Sequence, residues 1–286
     1  MTDTKAAAER FLHAGARLLE LRLFEVCFKG GRPEAVADAL RGYRNADGGF
    51  GHALEPDTRC PESLPIYTEV ALRTLAEAGA EAPDLVGPAC DYLAGIADDE
   101  GAVPLAFPVI EGYPRADHWS DWTYAHDVNP TAGIAGQLHR LGAEHPWLDK
   151  ATEYCWRRLE LPPPDGVHSL WELLVFLEHV PDRARAETRA SALLEHMKTQ
   201  EMFHLDPNAP GYGLSPLDLA PHPDSPWRKA FTDGQIEAHL DAMAAAQQPD
   251  GGWPITWTAP SAAALLEWRG IVTVNALRVL EAYGRF

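Results

Sequence analysis

The sequence is short of basic residues. Among its 286 residues, Lys and Arg number 24 and Asp and Glu number 42, which gives a formal net charge of −18. So acidic a surface repels phosphate groups, and we therefore expect neither nucleic acid nor an anionic membrane as a partner. No stretch of about 18 apolar residues predicts a membrane-spanning helix. The first residues lack the apolar segment of a signal peptide, so we expect a cytoplasmic protein.

Cysteine is scarce and scattered. The four cysteines, Cys27, Cys60, Cys90 and Cys155, form no CxxC pair. In a reducing compartment we expect free thiols rather than a disulfide framework. The spacing of the His, Cys and Asp residues matches no standard zinc pattern, and the sequence predicts neither a metal site nor a cofactor.

The sequence also lacks the alternation of apolar and polar residues that is typical of strands, and it shows helical periodicity instead. Caps, prolines and glycines set the expected helix ends. The predicted helices include residues 4–28, 33–43 and 64–78, one that begins at Asn129 and Pro130, two that begin with capping boxes at Ser169 and Thr232, and a last one over residues 271–283. The sequence therefore predicts an all-α protein.

A weak internal repeat is present. Residues 47–50 read DGGF and residues 250–253 read DGGW, with a fainter copy at residues 99–101. Adjacent glycines permit a tight reversal, and we interpret Asp47 and Asp250 as turn residues rather than catalysts. The spacing of roughly 40–65 residues is that of a helix pair with its loop. About five or six helical hairpins fit a single domain of residues 1–286, and the likeness of the first and last suits a closed ring.

The repeat segments match a known motif. Residues 247–253, QQPDGGW, fit the QxxxGxW pattern of squalene–hopene and related terpene cyclases, and residues 44–50, RNADGGF, keep the same frame. On these segments the chain resembles the terpenoid cyclase/prenyltransferase superfamily. The resemblance implies an α/α toroid, in which an inner layer of helices lines a central cavity and an outer layer surrounds it.

The same resemblance implies where a catalytic acid would lie. The cyclases carry DxDDTA at the start of an inner helix, and residues 127–132 of this chain read DVNPTA. Asn129 stands where the protonating aspartate is expected, and asparagine is not an acid. We interpret Asn129 and Pro130 as a helix start, because both residues are favoured there.

Acidic and aromatic residues concentrate between residues 116 and 127. Asp121 and Asp127 are the candidate catalytic acids, with His126 as partner, because burial beside aromatic rings raises the pKa of a carboxyl group. Aromatic faces also stabilise carbocations. The candidate substrate-binding rings in this segment are Trp119, Trp122 and Tyr124. The alternative is a loop whose tryptophans only pack against the protein.

Two further segments are candidate walls of a binding site. Glu55, Asp57 and Arg59 lie in a charged loop after the first glycine turn, where they could bind a substrate or act as acid and base. The alternative for this loop is a solvated segment with an internal ion pair. Trp257 follows the second glycine turn and would add an aromatic wall.

These features leave three functions open. The first is a terpenoid cyclase-like protein that binds or converts an apolar isoprenoid, with protonation by a carboxylic acid. The second is a non-catalytic binding or interaction protein on the same fold. The third is a carbohydrate-active hydrolase or lyase, since such enzymes also place paired carboxylates in their sites. The sequence does not decide whether the protein is an enzyme.

Overall fold

The computed structural model describes residues 3–286. Helix dominates in these residues, so the all-α class predicted from the sequence is confirmed. The helices are α1 (Asp3–Gly15), α2 (Leu18–Lys29), α3 (Glu34–Arg41), α4 (Pro65–Ala78), α5 (Pro83–Ile96), α6 (Val128–Arg140), α7 (Pro146–Arg158), α8 (Val167–His179), α9 (Arg183–Met197), α10 (Pro216–Leu219), α11 (Asp233–Ala245) and α12 (Ala262–Ala282). A short antiparallel pair joins β1 (Val103–Pro104) to β2 (His126–Asp127).

Two helix predictions had the wrong bounds. The single helix expected over residues 4–28 is two helices, because Arg17 is extended between α1 and α2. The last helix begins well before residue 271, because the Ser261 side chain accepts a hydrogen bond from the Ala264 N–H and caps α12 there.

The two predicted capping boxes had different outcomes. Thr232 caps α11 as expected, and its partner Gln235 accepts a hydrogen bond from the Thr232 N–H. Ser169 lies inside α8, which begins earlier, at Val167. Glu172, expected to complete that box, is therefore an interior residue of the helix.

The helices group into two compact units. One contains the residues up to Gly31 together with those from Met197 onward, and the other runs from Arg32 to His196. The single domain of residues 1–286 stays a prediction.

Helix α6 lies at the centre of the second unit, where it packs against α4, α7 and α8. Asn129 has φ −96° and ψ 108°, so the regular helix starts at Pro130, as the sequence predicts. Small residues then allow α8 to approach the α6 backbone. A Cβ atom at Gly136 would lie 2.7 Å from the carbonyl oxygen of Val175.

The repeat identified in the sequence is visible as three glycine corners, which we define as residues 45–49, 98–102 and 248–252. In each corner the first residue donates its N–H to the carbonyl of the fifth, and the fourth residue, a glycine, donates its N–H to the carbonyl of the first. The three glycines, Gly48, Gly101 and Gly251, have φ of 89°, 92° and 95°. Only glycine adopts such values readily, so the corners require it.

Each glycine corner lies directly against a neighbouring helix, because a Cβ atom on its fourth residue would meet that helix. The pairs are Gly48 with Pro88 of α5, Gly101 with Lys150 of α7, and Gly251 with Ala7 of α1. Helix α1 therefore packs on the last corner as α5 packs on the first corner.

Side-chain contacts also join the last corner to α1. Gln247 donates from its side-chain amide to the carbonyl oxygen of Thr4 at 3.0 Å. Arg269 of α12 holds both carboxylate oxygens of Asp250, at 2.7 and 2.8 Å, and its guanidinium lies 4.5 Å from the centre of the Phe11 ring. Asp250 also accepts the Gly252 N–H, so it serves the turn, as predicted.

Candidate functional site

A group of three charged side chains, two of them buried, lies between α4 and α8 in the second unit. Glu69 and Glu172 are only 6% and 4% exposed. Arg73, one turn after Glu69 on α4, places its Nη1 at 3.3 Å from Glu69 Oε1. The Arg73 guanidinium also lies 5.5 Å from the centre of the Trp171 ring on α8. We call Glu69, Arg73 and Glu172 the carboxyl cluster.

Glycine at position 133 makes room for the carboxyl cluster. Gly133 lies in the first turn of the regular part of α6, and the Glu172 carboxyl group occupies the volume where a side chain at Gly133 would begin. The Glu172 carboxylate is also hydrogen-bonded by the backbone of Gly133. The close approach of α6 and α8 thus places the Glu172 side chain directly against the α6 backbone at Gly133.

The surroundings of Glu172 favour its protonated form. Burial, and then the nearby carboxylate of Glu69, raise its pKa well above the ordinary value, although Arg73 and the Gly133 backbone oppose that shift. Burial also raises the pKa of Glu69, against the lowering effect of Arg73. Two buried carboxyl groups beside one guanidinium titrate as a pair, and we assign the retained proton to Glu172.

The structure brings one predicted binding residue to this cluster. Glu55 acts electrostatically on Arg73, so it belongs to the surroundings of the cluster. Glu55 and Asp57 are buried, and Glu55 Oε2 accepts the Asp57 N–H at 3.1 Å. The alternative of a solvated loop is therefore wrong for these two residues. Arg59 is half-buried, and its N–H donates to the carbonyl oxygen of Pro114 at 2.9 Å.

The acids predicted between residues 116 and 127 lie elsewhere. Asp121, His126 and Asp127 are exposed, so the buried surroundings expected for the two carboxyl groups are missing. Asp127 instead caps α6, with Oδ1 accepting the Val128 N–H at 2.7 Å. Their assignment as catalytic acids stays a prediction, without the environment on which it depended.

The aromatic residues of the same segment pack among themselves and on the protein. Trp119 is buried, and its ring centre lies 4.9 Å from that of Trp122. The Tyr124 hydroxyl donates to Glu111 Oε1 at 3.0 Å. This packing agrees with the loop alternative, and a substrate contact for these rings stays a prediction.

Trp257 belongs to the other unit. Its ring meets Tyr212 and Trp268 edge-on, with centres 5.3 and 5.0 Å away. It also lines an open cleft of about 430 Å³, together with the Asp250–Arg269 ion pair.

Glu69 and Arg73 were not predicted as site residues, and Glu172 was expected to belong to a helix cap. The available signal was a pair of charges one turn apart on α4, a helix in which most residues are buried. A second signal was Glu172, an acid between two apolar residues of α8, together with the small-residue run at 132–136. Only the packing of α6 against α8 shows that these signals belong together.

In residues 3–286 no group of three or more His, Cys, Asp or Glu side chains is arranged to hold a metal ion. The four cysteines are free thiols, and of these only Cys27 is exposed. None of the described helices is both long and apolar enough to cross a membrane.

Comparison with known proteins gives a likeness of fold. No protein-family model matches the chain, and no curated protein matches it. A solved structure described as "Crystal structure of a protein from Actinoplanes" is similar, with a TM-score of 0.60 and 18% identity. The likeness covers 99% of this chain and 100% of that one. At this identity it shows a common fold and carries no function.

Proposed function

We propose that this chain is an acid catalyst of the terpenoid cyclase type, in which Glu172 protonates an uncharged isoprenoid. The proposal includes the fold that the resemblance implies, a toroid of helical hairpins with inner and outer layers. The three glycine corners support that arrangement, because each joins a hairpin to a neighbouring helix in the same way.

One observation carries the proposal, namely the position of the Glu172 carboxyl group. The resemblance places the catalytic acid at the start of an inner helix, where this chain has Asn129 and Pro130. That helix is α6, and Glu172 of the neighbouring α8 places its carboxyl group against Gly133 in the first turn after Pro130. An acid supplied from α8 thus lies close to where the motif of residues 127–132 would place one.

The surroundings of Glu172 suit proton transfer. Its proton would go to an alkene carbon or an epoxide oxygen of the substrate, forming a C–H or O–H bond and leaving a carboxylate and a substrate cation. Arg73 stabilises that carboxylate, because its positive charge lies close to the Glu172 carboxyl group. Loss of a proton from the cation back to Glu172 then restores the acid, so the overall reaction is an isomerisation.

A carbohydrate-active hydrolase or lyase is the second candidate. The observation in its favour is that two buried carboxyl groups, Glu69 and Glu172, lie around the same guanidinium. Such a pair can divide the roles of general acid and general base between a protonated and an ionised member.

The test is a product assay with a matched pair of variants. The protein is incubated with squalene, with its terminal epoxide and with an oligosaccharide mixture, and products are identified by mass spectrometry. We expect conversion of an isoprenoid, its loss in Glu172→Gln, and its retention in Glu178→Gln. Glu178 is a suitable control because it lies on the same helix and burial also raises its pKa.

The other outcomes are equally informative. Conversion of the oligosaccharides alone would support the second candidate. Tight binding of a substrate without conversion would support a non-catalytic binding protein. Isoprenoid conversion that survives in Glu172→Gln and is lost in Asp121→Asn or Asp127→Asn would show that the catalytic acid lies in the exposed segment of residues 116–127.

A further inference from the structure

Gln137 is a buried side chain with an unused acceptor. The residue is 4% exposed, and its Oε1 atom has no hydrogen-bond partner among the described residues. A buried acceptor without a donor costs on the order of 1–3 kcal/mol, and native proteins seldom leave one unpaired. The mechanism proposed above does not use this residue.

The helix geometry places this acceptor beside Glu172. Gln137 lies one turn after Gly133 on α6, so the two residues share a face of the helix. Helical side chains lean toward the N-terminus, so the Gln137 side chain extends over the turn that contains Gly133. The Glu172 carboxyl group occupies the space at Gly133.

Groups from three helices surround Glu172. From α4 it is faced by Glu69 and by Arg73, whose guanidinium contacts Glu69 and lies against Trp171. From α7 it is faced by the Cys155 thiol, and from α6 by the Gly133 backbone. None of these groups donates to the Gln137 oxygen, whereas a protonated Glu172 carboxyl group is itself a donor.

We propose that Gln137 is a positioning residue, whose side-chain oxygen accepts the acid proton of Glu172. The inference rests on the proposed function only for the identity of the acid. A hydrogen bond to the neutral carboxyl group favours that form over the carboxylate. With the Gly133 backbone on the same carboxyl group, this bond would also fix its orientation, so that its proton lies in a defined place before a substrate arrives.

Infrared difference spectroscopy of the full chain tests the proposal at neutral pH. The carbonyl stretch of a protonated carboxylic acid is separate from that of a carboxylate, and subtracting the Glu172→Gln spectrum isolates the band of this residue. We expect the band in the wild type and its shift to higher frequency in Gln137→Met, since the acid group then lacks its acceptor. The Gln137→Met spectrum is corrected with the double variant Gln137→Met/Glu172→Gln.

Thr74→Val is the matched control. Thr74 is a buried polar residue of α4, and its hydroxyl donates within its own helix, to the carbonyl oxygen of Val70 at 2.8 Å. Its removal should leave the Glu172 band in place. If Gln137→Met does not fold, Gln137→Asn keeps the amide but withdraws it by one methylene, and the same shift is expected.

Three results would overturn the proposal, and they differ in what else they affect. A band that stays at its frequency in Gln137→Met removes the role of Gln137 and leaves the proposed acid intact. Absence of the band from the wild type means that Glu172 is ionised, which removes the proposed acid as well. A band that disappears in Glu69→Gln instead of Glu172→Gln would assign both the retained proton and the role of catalytic acid to Glu69.

Discussion

Gly133 is the residue on which the geometry of the carboxyl cluster depends. In Gly133→Ala, the new methyl group would take the space of the Glu172 carboxyl group. We expect a loss of about 1–3 kcal/mol in the free energy of unfolding, as for other overpacked sites, measured by urea denaturation. Gly87→Ala in α5 is the control, because a Cβ atom there meets nothing within 4 Å. That variant should gain about 0.5–1 kcal/mol from helix propensity, and equal effects at both sites would contradict the described packing.

Glu172 should make stability depend on pH. Its folded pKa is raised above the unfolded value of about 4.3. The stabilisation that Glu172 gives to the folded state is therefore complete below that value. It is lost as pH rises toward the folded pKa, by about 1.4 kcal/mol in the free energy of unfolding for each unit by which the folded and unfolded pKa values differ. Glu172→Gln carries no such loss, so we expect the stability of the variant relative to the wild type to increase between pH 5 and pH 8.

The comparison with the variant is needed because other groups titrate in the opposite direction. Burial lowers the pKa of His179 to about 4. The stabilisation that neutral His179 gives to the folded state is therefore lost as pH falls below the ordinary pKa of histidine. The difference between Glu172→Gln and the wild type cancels that contribution. A difference that stays constant across this pH range would mean that Glu172 is not held protonated.

Some residues of the candidate site were predicted because their signal lies within a few neighbouring residues of the sequence. Glu55 and Asp57 stood out because a charged loop between apolar segments is unusual, and the structure does bury both. Glu172 was assigned to a cap because the order Ser, any two residues, Glu is a local pattern. Its actual environment depends on Gly133, about 40 residues away in the chain, and no local pattern reports such a contact.

The glycine corner is the element that recurs along this chain. Gly251 combines a φ of 95° with close packing against Ala7 of α1. Gly30 has a comparable φ of 68°, but a Cβ atom there meets nothing within 4 Å. Gly30→Ala should therefore show only the backbone cost of about 1–2 kcal/mol.

Gly251→Ala should cost about 1–3 kcal/mol more than Gly30→Ala, because the new methyl group also displaces α1. Urea denaturation of both variants measures the difference between them. If the two substitutions cost the same, the corner does not press against α1 as described.

The helices were predictable where a single residue sets their ends. Pro130 and Thr232 are such residues, and both begin helices as expected. The break at Arg17 was not predictable from periodicity, because apolar residues keep their helical spacing across it. Buried Leu12 and Leu19 lie on either side of the break, and its local sign in the sequence is Gly15, the last residue of α1.

For the molecule as a whole, the sequence was most informative about class. Helical periodicity and the absence of strand alternation predicted an all-α protein, since both reflect backbone geometry that repeats along the chain. The closed ring depends on how distant hairpins meet, which periodicity does not encode, and it remains part of the proposal. The solved structure from Actinoplanes supports a common fold at 18% identity.

The packing of α1 against the last glycine corner has a consequence for how the chain is connected. The ammonium group of Lys5 lies 5.0 Å from the centre of the Phe286 ring, and it also pairs with Glu281. A short glycine-rich linker could thus join the two ends, and new ends could be opened in the exposed loop around Leu161. We expect this circular permutant to keep the helical circular dichroism spectrum and a cooperative urea transition, compared with the original chain carrying the same linker as a tail. Folding would then depend on the cyclic order of the helices and not on which of them is synthesised first, whereas an unfolded permutant would show that α1 must lead.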